Sequence, residues 1–351
     1  MKFLISAAGT GGHVFPALEF GKECIKNDHD VVWIGTKNGI ENRVVPEEIK
    51  LLTIPMRGFR GKKFFLKIVS LFGLIASIFK SIYYIQKNNT DYIVCFGGYI
   101  SLPVGLSAWI CRKPLFLHEQ NAIMGTSNKA LKKFSELIFL GFPINESVTK
   151  KMKLVGNPIK KLNKNSSLDS NQEPLRVYVT GGSQGSEFIN QNIPIALNAL
   201  EMPLEVRHQS GSGKSIGVKE LYSNNITVEV KEFYDLPQDS MVWSHFIISR
   251  AGALSLSEAM SLKRGSVMIP LPSAIDNHQL LNAINVVDLG MGLVHEEFES
   301  LELLSQKLKN IIVSGEYVQW SKKENNLDHF QAARTMLSLS LIHISEPTRP
   351  Y

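Results

Sequence analysis

Two glycine-rich segments, Gly9-Thr10-Gly11-Gly12 and Gly181-Gly182-Ser183-Gln184-Gly185, have the residue types that bring backbone N–H groups up to an anion or a ligand oxygen. Each follows an apolar, β-branched run and precedes a helical pattern, the junction at which a helix presents unpaired amides. A tight turn that needs glycine sterically would give the same composition. Repetition of the unit, with Ser183 and Gln184 as further donors, favours ligand contact. His13 follows the first loop directly. A lone histidine is most often structural, but an imidazole that titrates near neutrality at such a junction can take the proton of an attacking hydroxyl, which makes His13 the candidate general base.

The richest stretch is Ser249-Arg250-Ala251-Gly252-Ala253-Leu254-Ser255-Leu256-Ser257-Glu258. It leaves the strand pattern Phe246–Ile248 and opens a helix, placing amide donors and Ser255 where a diphosphate would sit, with Arg250 nearby. Glu258 falls about one turn into that helix, where its carboxylate could accept from both hydroxyls of a ribose. A capping box with Ser255 as N-cap and Glu258 three residues on has the same spacing, so local spacing leaves the two readings open. After the next strand comes Pro270-Leu271-Pro272, then Asp276-Asn277-His278-Gln279 and Asn282, amide and imidazole groups suited to sugar hydroxyls. Asp28-His29-Asp30 has the form of a metal-diphosphate DxD motif, yet it precedes a strand, at the end where turns form, and reads as a solvated turn; no metal is expected. Val14 occupies the place of the third glycine of a dinucleotide fingerprint and no acid follows the second strand at Gly35-Thr36, which argues against NAD. There is no GxxxxGK[ST] loop.

These residues need a parallel α/β frame to hold them. Apolar runs alternate with helical patterns along the chain. The expected strands are Lys2–Ala8, Val31–Gly35, Leu51–Pro55, Tyr92–Gly97, Leu115–His118 and Leu137–Leu140, then Arg176–Thr180, Leu204–Arg207, Thr227–Lys231, Phe246–Ser249, Val267–Pro270 and Gly292–His295. The polar stretch from Lys160 to Glu173 reads as a linker, giving domains at 1–157 and 158–338, each opened by a strand, a glycine loop and a helix. Two doubly wound domains of this kind bind ligands at the carboxyl ends of their strands, and the sequence implies a cleft between the halves. With 44% hydrophobic and 20% charged residues the 351-residue chain has ordinary globular composition. Its net charge of +6 suits a phosphorylated ligand or an anionic surface and does not imply nucleic acid. Cys24, Cys95 and Cys111 lack CxxC spacing, so neither a disulfide framework nor a zinc site is expected.

Taken together the motifs resemble glycosyltransferase family 28, a GT-B family, and within it the branch that acts in peptidoglycan synthesis. The resemblance lies in Gly9-Thr10-Gly11-Gly12-His13-Val14-Phe15-Pro16-Ala17, Gly97-Gly98-Tyr99, His118-Glu119-Gln120-Asn121, Gly156-Asn157-Pro158, Gly181–Gly185 and the two carboxy-terminal motifs, and spans residues 1 to 338. His118-Glu119-Gln120-Asn121 points to the peptidoglycan branch over the diacylglycerol sugar transferases. The resemblance implies inverting transfer of N-acetylglucosamine from UDP-N-acetylglucosamine to lipid I, the undecaprenyl-diphosphate-linked muramyl pentapeptide, with no cofactor. It implies that Ser183, Gln184, Arg250 and the run Ala253, Leu254, Ser255, Leu256, Ser257 hold the diphosphate. Phe233 and Tyr234 would meet the uracil, Glu258 the ribose, and Asn121, Lys160, His278, Gln279 and Asn282 the donor side more widely. Thr10, Gly11, Gly12, His13, Gly98 and Tyr99 would line the reaction centre and acceptor side. Leu102, Lys160 and Ser273 depart from the family pattern, and Lys160 in place of arginine keeps charge while losing the bidentate fork.

A lipid-borne acceptor implies a peripheral protein on the anionic cytoplasmic face of the plasma membrane, with cell-wall and division proteins as partners. The segment from Lys62 to Lys87 has no acid, and its apolar run is shorter than the roughly 20 residues that span a bilayer. Its polar positions Lys67, Ser70, Ser77, Lys80, Ser81, Tyr84 and Lys87 collect on one helix side. That pattern fits a core helix with one solvated face, or an interfacial helix with Lys62, Lys63 and Lys67 at the headgroups. The last family helix is expected to pack back on the first domain, and residues 339–351, which match no family element, are expected to be a disordered, non-native tail. Two rival functions share the residues: a glycolipid sugar transferase with another acceptor, and a non-catalytic lipid I or nucleotide-sugar binder, which would have no need of His13.

Overall fold

The computed structural model describes residues 1–56, 64–144, 147–161, 168, 173–325 and 327–345, with the side chains of 64–71 and 343–345 excepted. The chain forms two compact units, Met1–Lys160 with Leu327–Tyr351, and Lys161–Asn326.

The first unit is built on seven parallel strands, β1 (Lys2–Ser6), β2 (Asp30–Gly35), β3 (Lys50–Thr53), β4 (Tyr92–Cys95), β5 (Leu115–Glu119), β6 (Leu137–Leu140) and β7 (Met152–Leu154), in the order β3-β2-β1-β4-β5-β6-β7. Helices α1 (Gly11–Lys26), α2 (Glu41–Val44), α3 (Phe64–Lys87), α4 (Ser101–Ile110) and α5 (Thr126–Leu131) connect them. Alternate residues of β1 serve opposite faces of the sheet: Phe3 and Ile5 pack with Trp33 and Phe116, while Leu4 packs with Ile34, Ile93 and Leu117. Both faces are covered, so the strands read as continuous apolar runs and were legible to within a residue or two. β7 is the exception. It is a three-residue edge strand, Met-Lys-Leu, with Lys153 and Leu154 exposed, too short and too polar for a strand signal.

The second unit has six parallel strands, β8 (Leu175–Thr180), β9 (Leu204–Gln209), β10 (Ile226–Lys231), β11 (Phe246–Ser249), β12 (Gly265–Met268) and β13 (Gly292–Val294), ordered β10-β9-β8-β11-β12-β13. Its helices are α6 (Glu187–Asn198), α7 (Ser215–Glu220), α8 (Pro237–Trp243), α9 (Ala253–Ser261), α10 (His278–Asp288), α11 (Leu301–Ser314) and α12 (Glu316–Lys322). In each unit the strand order reverses between the first and fourth strands, β1 and β4 or β8 and β11. The loops after those four strands are Gly9–Gly12, Gly97–Tyr99, Gly181–Gly185 and Arg250–Gly252, so the sequence motifs sit at the two topological switch points.

Three expectations are corrected. The capping box is absent: α9 starts at Ala253 with Gly252 as N-cap and no side-chain cap bond, so Ser255 is the third helical residue. The polar side of α3 is divided: its serines Ser77 and Ser81 face inward, while Lys80 and Lys87 are exposed. Ser77 and Ser81 are fully buried while Phe72, Ile75, Phe79 and Tyr83 are exposed. Small serines permit close approach to α4, where Ser107 Oγ donates to Ile78 O at 3.0 Å, and Ser81 Oγ satisfies itself on Ser77 O at 2.7 Å. Finally, the helix α13 (Ala332–Ser345) runs into the expected disordered tail as far as Ser345. It packs on α1, with Met336 and Leu337 in the core of the first unit and Leu339 and Leu341 against it. Residues 346–351, Lys62 and Lys63, and the side chain of Lys67 lie outside the described residues.

Candidate functional site

In the first unit the glycine loop serves a histidine. Thr10 is the N-cap of α1 but its hydroxyl makes no cap bond; instead Oγ1 lies 3.0 Å from His13 Nδ1. If Nδ1–H donates to that hydroxyl, Nε2 is the basic nitrogen of the ring. The imidazole rests on the turn after β4, where Gly97 and Gly98 have φ of 86° and 74°. A Cβ at Gly97 would come to 3.0 Å from His13 Cδ2, and one at Gly98 to 3.6 Å from Cε1. Glycine is required there by conformation and by the ring together. Tyr99 is half-buried on the same turn, and a Cβ on Gly9 would lie 3.6 Å from its ring. Thr10 is exposed and Gly11, Gly12 and His13 are partly so.

The His118–Asn121 motif acts through its buried members. Glu119 accepts from Gly125 N at 2.8 Å, Asn128 Nδ2 at 2.9 Å, Asn121 N at 3.3 Å and Asn121 Nδ2 at 3.4 Å, closing the turn that carries Asn121. Burial raises the Glu119 carboxyl above its ordinary range, with those donors opposing the shift. Burial pushes His118 down to about 4 and His329 to about 3, so both rings are neutral at pH 7. Asn157 of the Gly156-Asn157-Pro158 motif donates its backbone N–H to His329 Nδ1 at 2.8 Å and its side-chain amide to Gln120 O at 3.1 Å. That motif therefore fastens the chain end to the sheet. Lys160 is exposed at the boundary of the unit.

In the second unit the Gly181–Gly185 loop is held by its own glycines. A Cβ at Gly181 would meet Ser186 N at 2.3 Å, and one at Gly185 would meet Ser210 O at 2.1 Å. Ser186 caps α6 by accepting from Ile189 N, leaving Ser183 and Gln184 exposed at the loop tip. Gln209, at the end of β9, donates to Gly182 O at 3.1 Å and accepts from Tyr234 N at 3.2 Å, joining the glycine loop to the Phe233-Tyr234 segment. Phe233 is exposed. The Tyr234 hydroxyl donates to Glu229 O at 3.0 Å, and its ring stands edge-on to Tyr178 at 6.0 Å, so Phe233 is the better placed of the two to meet a base.

The amino-terminal turn of α9 is open and carries no side-chain cap. Its N-cap Gly252 has only open space around a built Cβ, and the amides of Ala253, Leu254 and Ser255 begin the helix. Leu254, Ser255 and Glu258 are partly exposed; Ala253, Leu256 and Ser257 are buried. Ser257 Oγ donates back to Ala253 O at 2.9 Å, and Leu256 is a core residue. Glu258 accepts from Gln238 Nε2 at 2.8 Å, and burial pushes its carboxyl up to about 7.

Other motif residues brace this turn. Arg250 donates to Ile269 O at 3.1 Å and Pro270 O at 3.4 Å and pairs with Glu297 at 2.5 Å, tying β11 to the loop after β12. Asn282 is fully buried and donates to Ala251 O at 3.2 Å. Gln279 Oε1 accepts from Leu271 N at 2.9 Å, and His278 Nδ1 lies 2.7 Å from Ile275 O, so Nδ1–H donates. Asp276 and Asn277 take left-handed φ of 52° and 54° to form this corner. Asp28 turns at φ 59° before β2, at the opposite end of its sheet. The sequence reading passed over Gln209, Gln238 and Glu297, whose partners lie 20 or more residues away and leave no local signal.

The chain matches the glycosyltransferase family 28 N-terminal domain over residues 3–140 and the family 28 C-terminal domain over residues 176–336. It is 36% identical over 308 residues to a UDP-N-acetylglucosamine--N-acetylmuramyl-(pentapeptide) pyrophosphoryl-undecaprenol N-acetylglucosamine transferase of Coxiella burnetii, covering 86% of each chain. A protein of the same name from Haemophilus influenzae is 34% identical over 343 residues, covering 95% of this chain and 94% of the relative. The crystal structure of MurG from Acinetobacter baumannii superposes with a TM-score of 0.81 at 28% identity, covering 96% of this chain and 98% of that one. With two Rossmann-like units and these relatives, the chain belongs to glycosyltransferase family 28, enzymes of the GT-B fold.

Proposed function

We propose that this glycosyltransferase moves N-acetylglucosamine from UDP-N-acetylglucosamine to the muramyl 4-hydroxyl of undecaprenyl-diphosphate-linked muramyl pentapeptide, with inversion and release of UDP. The observation that carries the donor half is the uncapped amino-terminal turn of α9, with Glu258 one turn on. The relatives' names supply the sugar and the acceptor.

The step is a single displacement. The C1–O bond to UDP breaks as the acceptor oxygen bonds to C1 from the opposite face, and the departing diphosphate gains negative charge. The amides of residues 253–255, the Ser255 hydroxyl and the tip residues Ser183 and Gln184 stabilise that charge in their ready-made geometry. Arg250 adds positive potential while its fork holds the loop. Phe233 packs on the uracil, Glu258 accepts from the ribose, and His278, Gln279, Asn121 and Lys160 serve the donor side. His13 Nε2 takes the proton of the acceptor hydroxyl, with Thr10, Gly98 and Tyr99 around it.

Membrane attachment belongs to the same proposal. Among the described residues no helix is long and apolar enough to cross a membrane. Phe72, Ile75, Phe79 and Tyr83 form an outward apolar face on α3, flanked by Lys80 and Lys87, and Trp109 and Ile110 are exposed on α4. Such a face suits an interfacial helix on an anionic inner leaflet, where cell-wall and division proteins would be met.

The test uses UDP-N-acetylglucosamine with a short-chain lipid I analogue or diacylglycerol as acceptor. His13→Ala should lower kcat roughly 10²- to 10⁴-fold and leave UDP affinity unchanged. Turnover of diacylglycerol but not of the lipid I analogue would overturn the acceptor assignment.

A further inference from the structure

Glu258 is served by a residue that none of the motifs contains. Gln238 is the second residue of α8, whose first turn is fixed by Pro237, and its Nε2 donates to Glu258 Oε1 at 2.8 Å. Among the described residues this is the one hydrogen bond that the Glu258 side chain receives, so Oε2 receives none. The terminal torsion of a glutamate is broad and about two-fold, and a carboxylate held at neither oxygen samples it widely. One amide on Oε1 removes that freedom and leaves the other oxygen to accept. The α8 turn also follows directly on the exposed Phe233, with only Tyr234–Leu236 between them.

We propose that Gln238 is a positioning residue for donor binding, orienting the Glu258 carboxylate so that Oε2 accepts from the ribose hydroxyls of a uridine diphosphate. It also links that contact to the Phe233 segment that packs on the base. The hydrogen bond favours the charged carboxylate as well, opposing the effect of burial. This inference rests on the reading of Glu258 as the ribose acceptor.

The experiment compares binding of UDP and of 2′,3′-dideoxy-UDP by isothermal titration to the full-length wild type, to Gln238→Met, which keeps length and loses the donor, and to Glu258→Gln. Gln238→Glu, which presents an acceptor in place of the donor, provides a second variant should methionine disturb the packing. Gln238→Met should weaken UDP roughly 3- to 10-fold, an indirect effect about the size of one ordinary net hydrogen bond, while the dideoxy compound changes less than about twofold. KM for UDP-N-acetylglucosamine should rise by the same factor and kcat should change less. Equal weakening of both nucleotides, or no change in either, would overturn the positioning role while leaving the ribose reading intact. A wild type and Glu258→Gln that both bind the two nucleotides alike would overturn the ribose reading and the inference with it.

Discussion

Donor affinity should depend on pH through Glu258. The ribose hydroxyls donate, so the carboxylate, the stronger acceptor, binds more tightly than the carboxylic acid. Burial holds this group up to about 7, against an ordinary value of 4.5, with the Gln238 amide pulling the other way. The Tyr178 phenol on β8 is held well above its ordinary value and stays neutral in this range. If only the ionised form binds, the apparent Kd scales as one plus the ratio of protonated to ionised Glu258, giving about 1.1 at pH 8, 2 at pH 7 and 11 at pH 6. UDP-N-acetylglucosamine is the ligand to use, because its diphosphate is a diester and does not titrate there. Isothermal titration from about pH 6 to pH 8 should show a tightening of up to roughly tenfold. The sign for stability is opposite: the folded-state pKa lies above the unfolded one, so the ligand-free protein loses this group's contribution as pH rises from about 4.5 through 7. Glu258→Gln should bind roughly 10-fold or more weakly at pH 8 and show a flat profile. A flat wild-type profile, or an unchanged slope in Glu258→Gln, would refute the reasoning.

Three further outcomes follow from the geometry. Gly97→Ala forces a side chain into left-handed backbone 3.0 Å from His13 Cδ2; turnover should fall at least about tenfold with UDP affinity intact, as a displaced catalytic group does. Gly252→Asp supplies α9 with a cap and a negative charge in open space, so melting should rise by the equivalent of about 0.5–1 kcal/mol while UDP binding collapses. Replacing Phe72 and Phe79 with serine should abolish sedimentation with anionic vesicles and leave the melting temperature within about 2 °C, since surface changes away from packing cost little; undiminished vesicle binding would remove α3 from the membrane face.

Strands buried on both faces announce themselves as apolar runs, which is why the sheet frame and the junction loops could be placed from sequence. Side-chain direction was the harder quantity. Ser77 and Ser81 count as polar in any periodicity argument, yet both are buried: Ser81 bonds the carbonyl four residues back, and both side chains are small enough to let another helix approach. The Ser255–Glu258 spacing matches a capping box, and only the helix start at Ala253 separates that pattern from an open anion site. Asn282 and Ser257 belong to motifs read as ligand-facing, but their own side chains bond Ala251 O and Ala253 O. Gln209 and Gln238 were invisible because the contacts that give them meaning are tertiary. Leu339 and Leu341 lie in a segment with no motif at all, and only the structure reveals their packing against the core of the first unit.

The central claim is transfer of one sugar from one donor to one acceptor, and product analysis tests it most directly. With labelled UDP-N-acetylglucosamine and a lipid I analogue, the chain should release UDP in equimolar amount with a β-1,4-linked N-acetylglucosaminyl-muramyl product, and His13→Ala should form almost none. UDP release with free N-acetylglucosamine, an α-linked product, or undiminished turnover by His13→Ala would contradict the account.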